Sequence, residues 1–269
     1  AAAAEDAGTI YFNPAGMTYL PQGNTITAVG TLLERSIKYD DTGTFTRAGA
    51  VAAGPTFVYA PTGDGGDAGG LGLIPAGYWS YAYSDALRVG VGVSPTFGNE
   101  TEYSKNFRGF NSGFFGSMRQ ININPSVAYK LNDMISLGAG LDFAHNEIEF
   151  KFGIPLQSAN PLVGLPAGNY VKVEGDDWAT GFNIGAMFQF SPNTRVGLTY
   201  RSETRFDLEG TQRAHITTAN PAIAALNTDV KASIDMPASA SLAVSHQVNR
   251  WQFLADYTWT GWSSIDDVK

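Results

Sequence analysis

The side chains best suited to moving protons near neutral pH are His145, His215 and His246. Their separation in sequence gives none of the spacings by which histidines gather a metal ion. Asp142 and His145 invite comparison with an acid–base pair, but residues three apart on a strand point to opposite faces. The chain has no cysteine, which removes thiolate nucleophiles, thiolate metal ligands and disulfides. No G-x-S-x-G, phosphate-loop or dinucleotide fingerprint occurs. The expectation is a protein that is not an enzyme and uses neither metal nor cofactor. The charged residues Arg195, Arg201, Glu203, Arg205, Asp207 and Glu209 stand out for a different reason. In "TRVGLTYRSETRFDLE" they alternate with Val196, Leu198, Tyr200, Phe206 and Leu208, which is the signature of a strand. What they do depends on which side of a sheet they face.

The same period of two runs along the whole chain, in "QININPSVAY", "DWATGFNIGAMFQF", Leu87 to Val93, Val230 to Val244 and Trp251 to Trp259. One face repeats large aliphatic and aromatic residues, and the other repeats Gly, Ser, Asn, Asp and Arg. The connections alternate in length. Tight turns, "YSDA", "LNDM", "SPNT" and "VNR", alternate with long stretches at about 41–70, 104–117, 153–170 and 211–228. This gives about nine strands, at roughly 22–40, 70–83, 87–103, 118–131, 135–152, 171–190, 194–210, 228–248 and 250–262, with a further hairpin expected within 45–60.

With 269 residues, 31 glycines and 16% charged residues, the chain suits one large β domain and not a helical bundle. The net charge of −8 and the lack of any Lys/Arg cluster give nucleic acid no electrostatic footprint. No stretch reaches the roughly 20 apolar residues of a membrane helix, so any membrane crossing must be made by strands. A soluble sandwich would also alternate. Strand length, the short–long order of the connections, and Tyr83, Tyr129, Phe188, Phe190 and Trp251 beside the short turns favour an all-β, antiparallel transmembrane barrel with an aromatic girdle.

At this point the residues resemble a known family. "DAGTIYFNPAGMTYL", "DDWATGFNIGAMFQF", "GLTYRSETRFDLEG" and "DYTWTGWSSI" look like the FadL family of outer-membrane long-chain fatty acid transporters, which includes aromatic-hydrocarbon channels of the TodX type. The most specific element is Asn13-Pro14-Ala15, in the position of the family's hatch motif; Asn13 can also cap a short helix that starts at Pro14. The resemblance implies a bacterial outer-membrane protein, monomeric when complete, set among outer-membrane lipid and lipopolysaccharide and passing a hydrophobic ligand such as a fatty acid or hydrocarbon. It implies a fourteen-stranded barrel, of which residues 22–269 supply about nine strands and residues 1–21 the end of the hatch, the remainder lying outside this chain. It also implies a lateral gate where one strand bends inward, here at Pro95, Thr96, Phe97 and Gly98; the plainer alternative is an edge irregularity. The ladder Arg195, Arg201, Glu203, Arg205, Asp207 and Glu209 is expected to face the lumen and brace the hatch, although an Arg there could hold a carboxylate.

Residues 135–152, "ISLGAGLDFAHNEIEFKF", change phase part-way. Ile135, Leu137, Leu141 and Phe143 are apolar on one face, then Ile148, Phe150 and Phe152 on the other. If the strand is regular, the first set meets lipid and Ile148, Phe150 and Phe152 line a ligand pocket in the upper lumen. A β-bulge near His145-Asn146 would instead turn Phe150 and Phe152 outward.

Overall fold

The computed structural model describes residues 1–40, 63–154, 169–216 and 226–265. The hairpin expected within 45–60 lies outside them. A short helix, α1 (Thr9–Phe12), and a 3₁₀ helix (Pro14–Tyr19) precede one antiparallel sheet. Its strands are β1 (Asn24–Arg35), β2 (Gly70–Ala82), β3 (Leu87–Ser94), β4 (Gly98–Glu102), β5 (Phe115–Lys130) and β6 (Ile135–Gly153). They continue as β7 (Tyr170–Ser191), β8 (Thr194–Arg201), β9 (Thr204–His215), β10 (Thr228–Met236), β11 (Ser239–Val248) and β12 (Trp251–Thr260). The main path runs β1-β2-β3-β5-β6-β7-β8-β11-β12, with β4 beside β5, β9 beside β7, and β10 beside β9. Each of the nine expected strands is present, but three of them are broken, at 95–97, 202–203 and 237–238.

The short turns form where the sequence supplies their chemistry. Asn132 Oδ1 accepts from Met134 N and Ile135 N at 2.9 and 2.8 Å, and Asn249 adopts the left-handed conformation with φ of 54°. The long connection at 104–117 is less open than its composition implied. Phe107, Phe110 and Phe114 are buried there, with Tyr39, Tyr103 and Tyr170 packed against them.

The N-terminal segment packs on one face and thereby defines the inside. On β6 the inward residues are the even-numbered ones. Ser136, Asp142, Ala144 and Asn146 are buried, while Leu137, Leu141 and Phe143 are exposed on the outside, as a lipid-facing surface requires. Register is unbroken from Ile135↔Phe188 to Gly153↔Tyr170 on one side and keeps one phase from Lys130↔Ser136 to Phe115↔Lys151 on the other. No bulge interrupts β6 at His145-Asn146, so Phe150 and Phe152 stay on the inward face. Above Phe143 the outer face turns ionic. Glu149 meets Lys151 and Lys172 at 2.8 and 3.2 Å, and Lys172 meets Glu174 at 2.6 Å.

The break between β8 and β9 corrects the charge ladder. Asn183 pairs with Arg201 and Asp176 with Glu209. Between those pairs, 177–182 on β7 is six residues and 202–208 is seven. One extra residue turns the strand over. Arg195 and Arg201 point inward with β8, but Phe206 and Leu208 are buried inside and Arg205, Asp207 and Glu209 lie exposed outside, with Glu203 exposed in the break itself. Outside, these charges are neutralised locally. Asp207 bonds Arg205 and the Ser233 hydroxyl, and Glu209 bonds Lys231. The β10–β11 break at Pro237 turns its strand over in step, so Ile234 and Met236 pair inside with Phe206 and Thr204 while Leu242 and Val244 face out.

Candidate functional site

Inside the lower half of the wall, the N-terminal segment is held by hydrogen bonds and by the absence of side chains. Asn13 Oδ1 caps the 3₁₀ helix at Ala15 N (3.1 Å), while Asn13 Nδ2 donates to the carbonyls of Ala186 on β7 and Leu198 on β8, each at 3.2 Å. A Cβ on Gly185 would come within 2.1 Å of Asn13 Oδ1, and one on Gly138 within 2.3 Å of Ala15 N. Inward glycines therefore form the seat for Asn13-Pro14-Ala15. Arg195 Nη1 donates to Ala3 O at 2.8 Å and its guanidinium covers the Tyr19 ring at 4.0 Å. Arg201 Nη2 donates to Tyr11 O at 3.0 Å.

A buried polar belt lies immediately above. Asp142 accepts from Arg201 Nη1, from Asn122 Nδ2 at 2.5 Å and from Asn124 Nδ2 at 2.9 Å. Asn124 Nδ2 also donates to Asn183 Oδ1 at 2.9 Å, and Asn183 Nδ2 reaches Ile10 O at 3.5 Å. The Arg201 charge is thus spent on Asp142 and the peptide backbone, as a brace.

Above the belt the lumen becomes apolar. Ala144, Ala179, Phe206, Leu208 and Met236 form a buried cluster against which Phe97, Met118, Ile148 and Ile234 pack. Full burial of a Phe or Met contributes about 1.5–3 kcal/mol, so a ligand tail has the same incentive to lie here. Phe150 and Phe152 extend the surface upward, with ring centroids 6.2 Å apart.

The wall opens beside this cluster. β2 pairs with β3 only from Gly77↔Val93 to Ala82↔Arg88, and β4 pairs with β5 alone among the described residues. Gly70–Ala76 therefore has β1 on one side and, among the described residues, no strand on the other. Between Ser94↔Asn122 and Gly98↔Arg119, three residues (95–97) oppose two (120–121), a one-residue bulge that bends the strand away from β2. Contact returns higher up, where Glu102 N donates to Ala68 O at 3.2 Å. The gap holds a cavity of about 360 Å³ lined by Leu33 and Ile74 from the inner face, Leu73 and Pro75 from the outer face, and Pro95 to Glu100 and Met118. Thr96 and Phe97 also line a small inner cavity of about 30 Å³ floored by Gln120, Asn122, Asp142 and Arg201. At the top of the gap the Asp67 carboxyl is held below the usual carboxylate range by the Ser36 hydroxyl first, then by the Ile37 and Gly69 N–H groups.

A sheet with an apolar outside, an N-terminal segment seated on its inner face and a gap in its wall can be set against known proteins. All 269 residues, 1–269, match the family described as outer membrane protein transport protein (OMPP1/FadL/TodX). The chain belongs to that family. Relatives include a long-chain fatty acid transport protein of Escherichia coli O6:H1, 27% identical over 80% of this chain and 48% of its own length. Outer membrane protein P1 of Haemophilus influenzae is 26% identical over 98% of this chain and 62% of its own length. The chain thus spans about half to three-fifths of these curated relatives. Among solved structures, a Pseudomonas aeruginosa FadL homologue superposes with a TM-score of 0.76 at 23% identity, over 98% of this chain and 66% of that one. The Ralstonia pickettii toluene transporter TbuX gives 0.70 at 17% identity, over 97% and 69%. Membership places the chain in the outer membrane, in a group of transport proteins and not of enzymes.

Within this FadL/TodX framework, the residues singled out from sequence fall into three places. Asn13, Pro14 and Ala15 sit on the inward glycines, Arg195 and Arg201 hydrogen-bond the same N-terminal segment, and Ile148, Phe150 and Phe152 face the upper lumen. Pro95, Thr96, Phe97 and Gly98 form one bank of the wall gap. Arg205, Asp207 and Glu209 belong to none of these. Sequence reading missed Phe206, Met236 and Met118 as inner apolar residues and Pro75 on the opposite bank. Proline has no N–H to give a ladder, so Pro75 amid strand residues was the available signal of an unpaired edge.

Proposed function

We propose that this chain forms part of a passive outer-membrane route for hydrophobic molecules, foremost long-chain fatty acids, with residues 1–21 as part of the plug. A ligand enters from outside and rests against Ile148, Phe150, Phe152 and the Phe206–Met236 cluster. It then leaves sideways between β2 and β4 into the bilayer. The observation that carries the reading is one of height: the gap opens beside the apolar part of the lumen. Directly below, a hydrophobic ligand would meet the Asp142–Arg201–Asn124 belt and the seated N-terminal segment, where apolar matter gains nothing and polar groups would lose partners. The outer face sits in outer-membrane lipid and lipopolysaccharide, and the complete barrel works as a monomer without a cofactor.

The test uses the full-length protein in cells. A cysteine placed on β2 between Gly72 and Ala76 and another on β4 between Gly98 and Thr101 are joined by a bifunctional cross-linker. Uptake of labelled oleate should fall at least tenfold while binding persists, and undiminished uptake after verified cross-linking rules out the lateral exit. An aromatic-hydrocarbon channel is the second reading, favoured by the aromatic character of the upper lumen at Phe97, Phe150, Phe152 and Phe206. Toluene uptake without oleate uptake would decide for it, and uptake of neither would leave a structural or adhesive barrel.

A further inference from the structure

Arg35 ends β1 at the upper edge of the wall gap. Its register with Gly70, and the inward positions of Thr27 and Tyr78 on the same two strands, put its side chain on the luminal side. Its Nη1 donates across the gap to Asn99 Oδ1 on β4 at 2.7 Å, while its Nε is buried without a partner. Asn99 is a neutral acceptor. Among the described residues no carboxylate pairs with Arg35. Glu34 lies on the outer face by alternation, and Glu100 is held on the outer face by Arg119 at 2.7 Å. The other described guanidinium groups on the inner face of the strands are committed, Arg201 to Asp142 and Tyr11 O, Arg195 to Ala2 O and Ala3 O, and Arg88 to Ser84 O and Leu87 O.

A cation held, among the described residues, by a carboxamide alone, at the head of an apolar cavity of about 360 Å³, is a receptor for a molecule with an anionic head and an apolar tail. We infer that Arg35 and the wall gap form a head-group site for a single-chain amphiphilic carboxylate, the guanidinium taking the carboxylate and Leu33, Ile74, Leu73, Pro75 and Met118 taking the tail. This deepens the proposed function and rests on the gap being the ligand's way out. The carboxylate replaces Asn99 as acceptor, and the tail already spans inner-facing and lipid-facing residues. A neutral hydrocarbon would bury beside the guanidinium without giving it a partner, so the site selects for charge before chain length.

The test is equilibrium binding of oleate and methyl oleate to the full-length protein in non-ionic detergent, comparing wild type, Arg35→Gln, Arg35→Lys and Asn99→Ala, with heat-modifiable migration confirming a folded barrel. Loss of a charge-assisted pair predicts about a tenfold fall in oleate affinity for Arg35→Gln. Methyl oleate binding should be unchanged, and Arg35→Lys should recover most of the oleate loss. Asn99→Ala should bind oleate at least as well as wild type, because it removes a competing acceptor. Equal losses for both ligands in Arg35→Gln, no loss for either, or a fall in Asn99→Ala matching that of Arg35→Gln would overturn the site. The cross-linking experiment reads a different quantity, uptake. If cross-linking leaves uptake intact while Arg35→Gln still separates oleate from its ester, the head-group site stands and the exit route does not.

Discussion

Along β6 the apolar residues move from odd to even positions near Ala144, while every residue keeps its register against β7. Along β8 and β9 the apolar residues stay at even positions, from Val196 to Leu208, while the wall inserts one residue at Ser202-Glu203. Both reach the same interior, outward-apolar below and inward-apolar above. In β6 the sequence phase flips and the backbone does not; in β8–β9 the backbone flips and the phase does not. The boundary between hydrocarbon and water sets the requirement in both cases, because a lipid-facing band must be apolar and the rim above it need not be. An unbroken alternation is therefore not proof of an unbroken strand.

The harshest way to break this comparison is to delete one residue from each region. β6 has no extra residue to lose, so deleting Asn146 slips everything above it by one place, turning Glu147, Glu149 and Lys151 inward and Ile148, Phe150 and Phe152 outward. The full-length variant is expected to lose most of its heat-modifiable barrel, because charge then lies against the inner apolar cluster. Deleting Glu203 instead removes the inserted residue and leaves six residues opposite six, so Phe206 and Leu208 stay inside, Arg205, Asp207 and Glu209 stay outside, and the barrel should still form. Loss of the barrel in this variant would mean that β8 and β9 share one facing.

A milder pair of substitutions sharpens the contrast within β6. Leu141→Arg places charge toward hydrocarbon and should cost about 2–4 kcal/mol of barrel stability, read from urea titrations in lipid vesicles. Phe150→Asp with Phe152→Asp sits on the inner face and should leave assembly within about 1 kcal/mol of wild type, since a position at the upper lumen can hydrate a carboxylate. Its effect should appear as at least a tenfold loss of fatty-acid binding. Impaired assembly with normal binding per folded molecule would move the pocket away from these rings.

Much of this architecture was legible in the sequence because membrane barrels write their outer surface plainly. Strand alternation, the Asn132 and Asn249 turns and the Asn13 cap follow from residue chemistry alone, and the facing of Phe150 and Phe152 follows from an alternation that needs no insertion. The small inward residues Gly138 and Gly185 were visible as a polar-side pattern, but their purpose depends on an N-terminal segment more than a hundred residues away. The inversion at Ser202-Glu203 was not legible, because two changes of sign cancel: the environment reverses and the backbone reverses, so "TRVGLTYRSETRFDLE" reads as one strand. Pro75 and Pro95 were each visible. That they face one another across a gap is a property of register, which neither segment carries by itself.

The most direct test of the central claim is a spin-label scan of 194–210 in the full-length protein, which benefits from the absence of cysteine in this chain. Labels at Val196, Leu198 and Tyr200 should be accessible to oxygen in the lipid phase. Above the break the phase should reverse, with labels at Arg205, Asp207 and Glu209 mobile and those at Phe206 and Leu208 immobilised by packing. A single phase throughout, with Phe206 and Leu208 as accessible as Leu198, would contradict the inserted residue and remove the inner apolar cluster built on it.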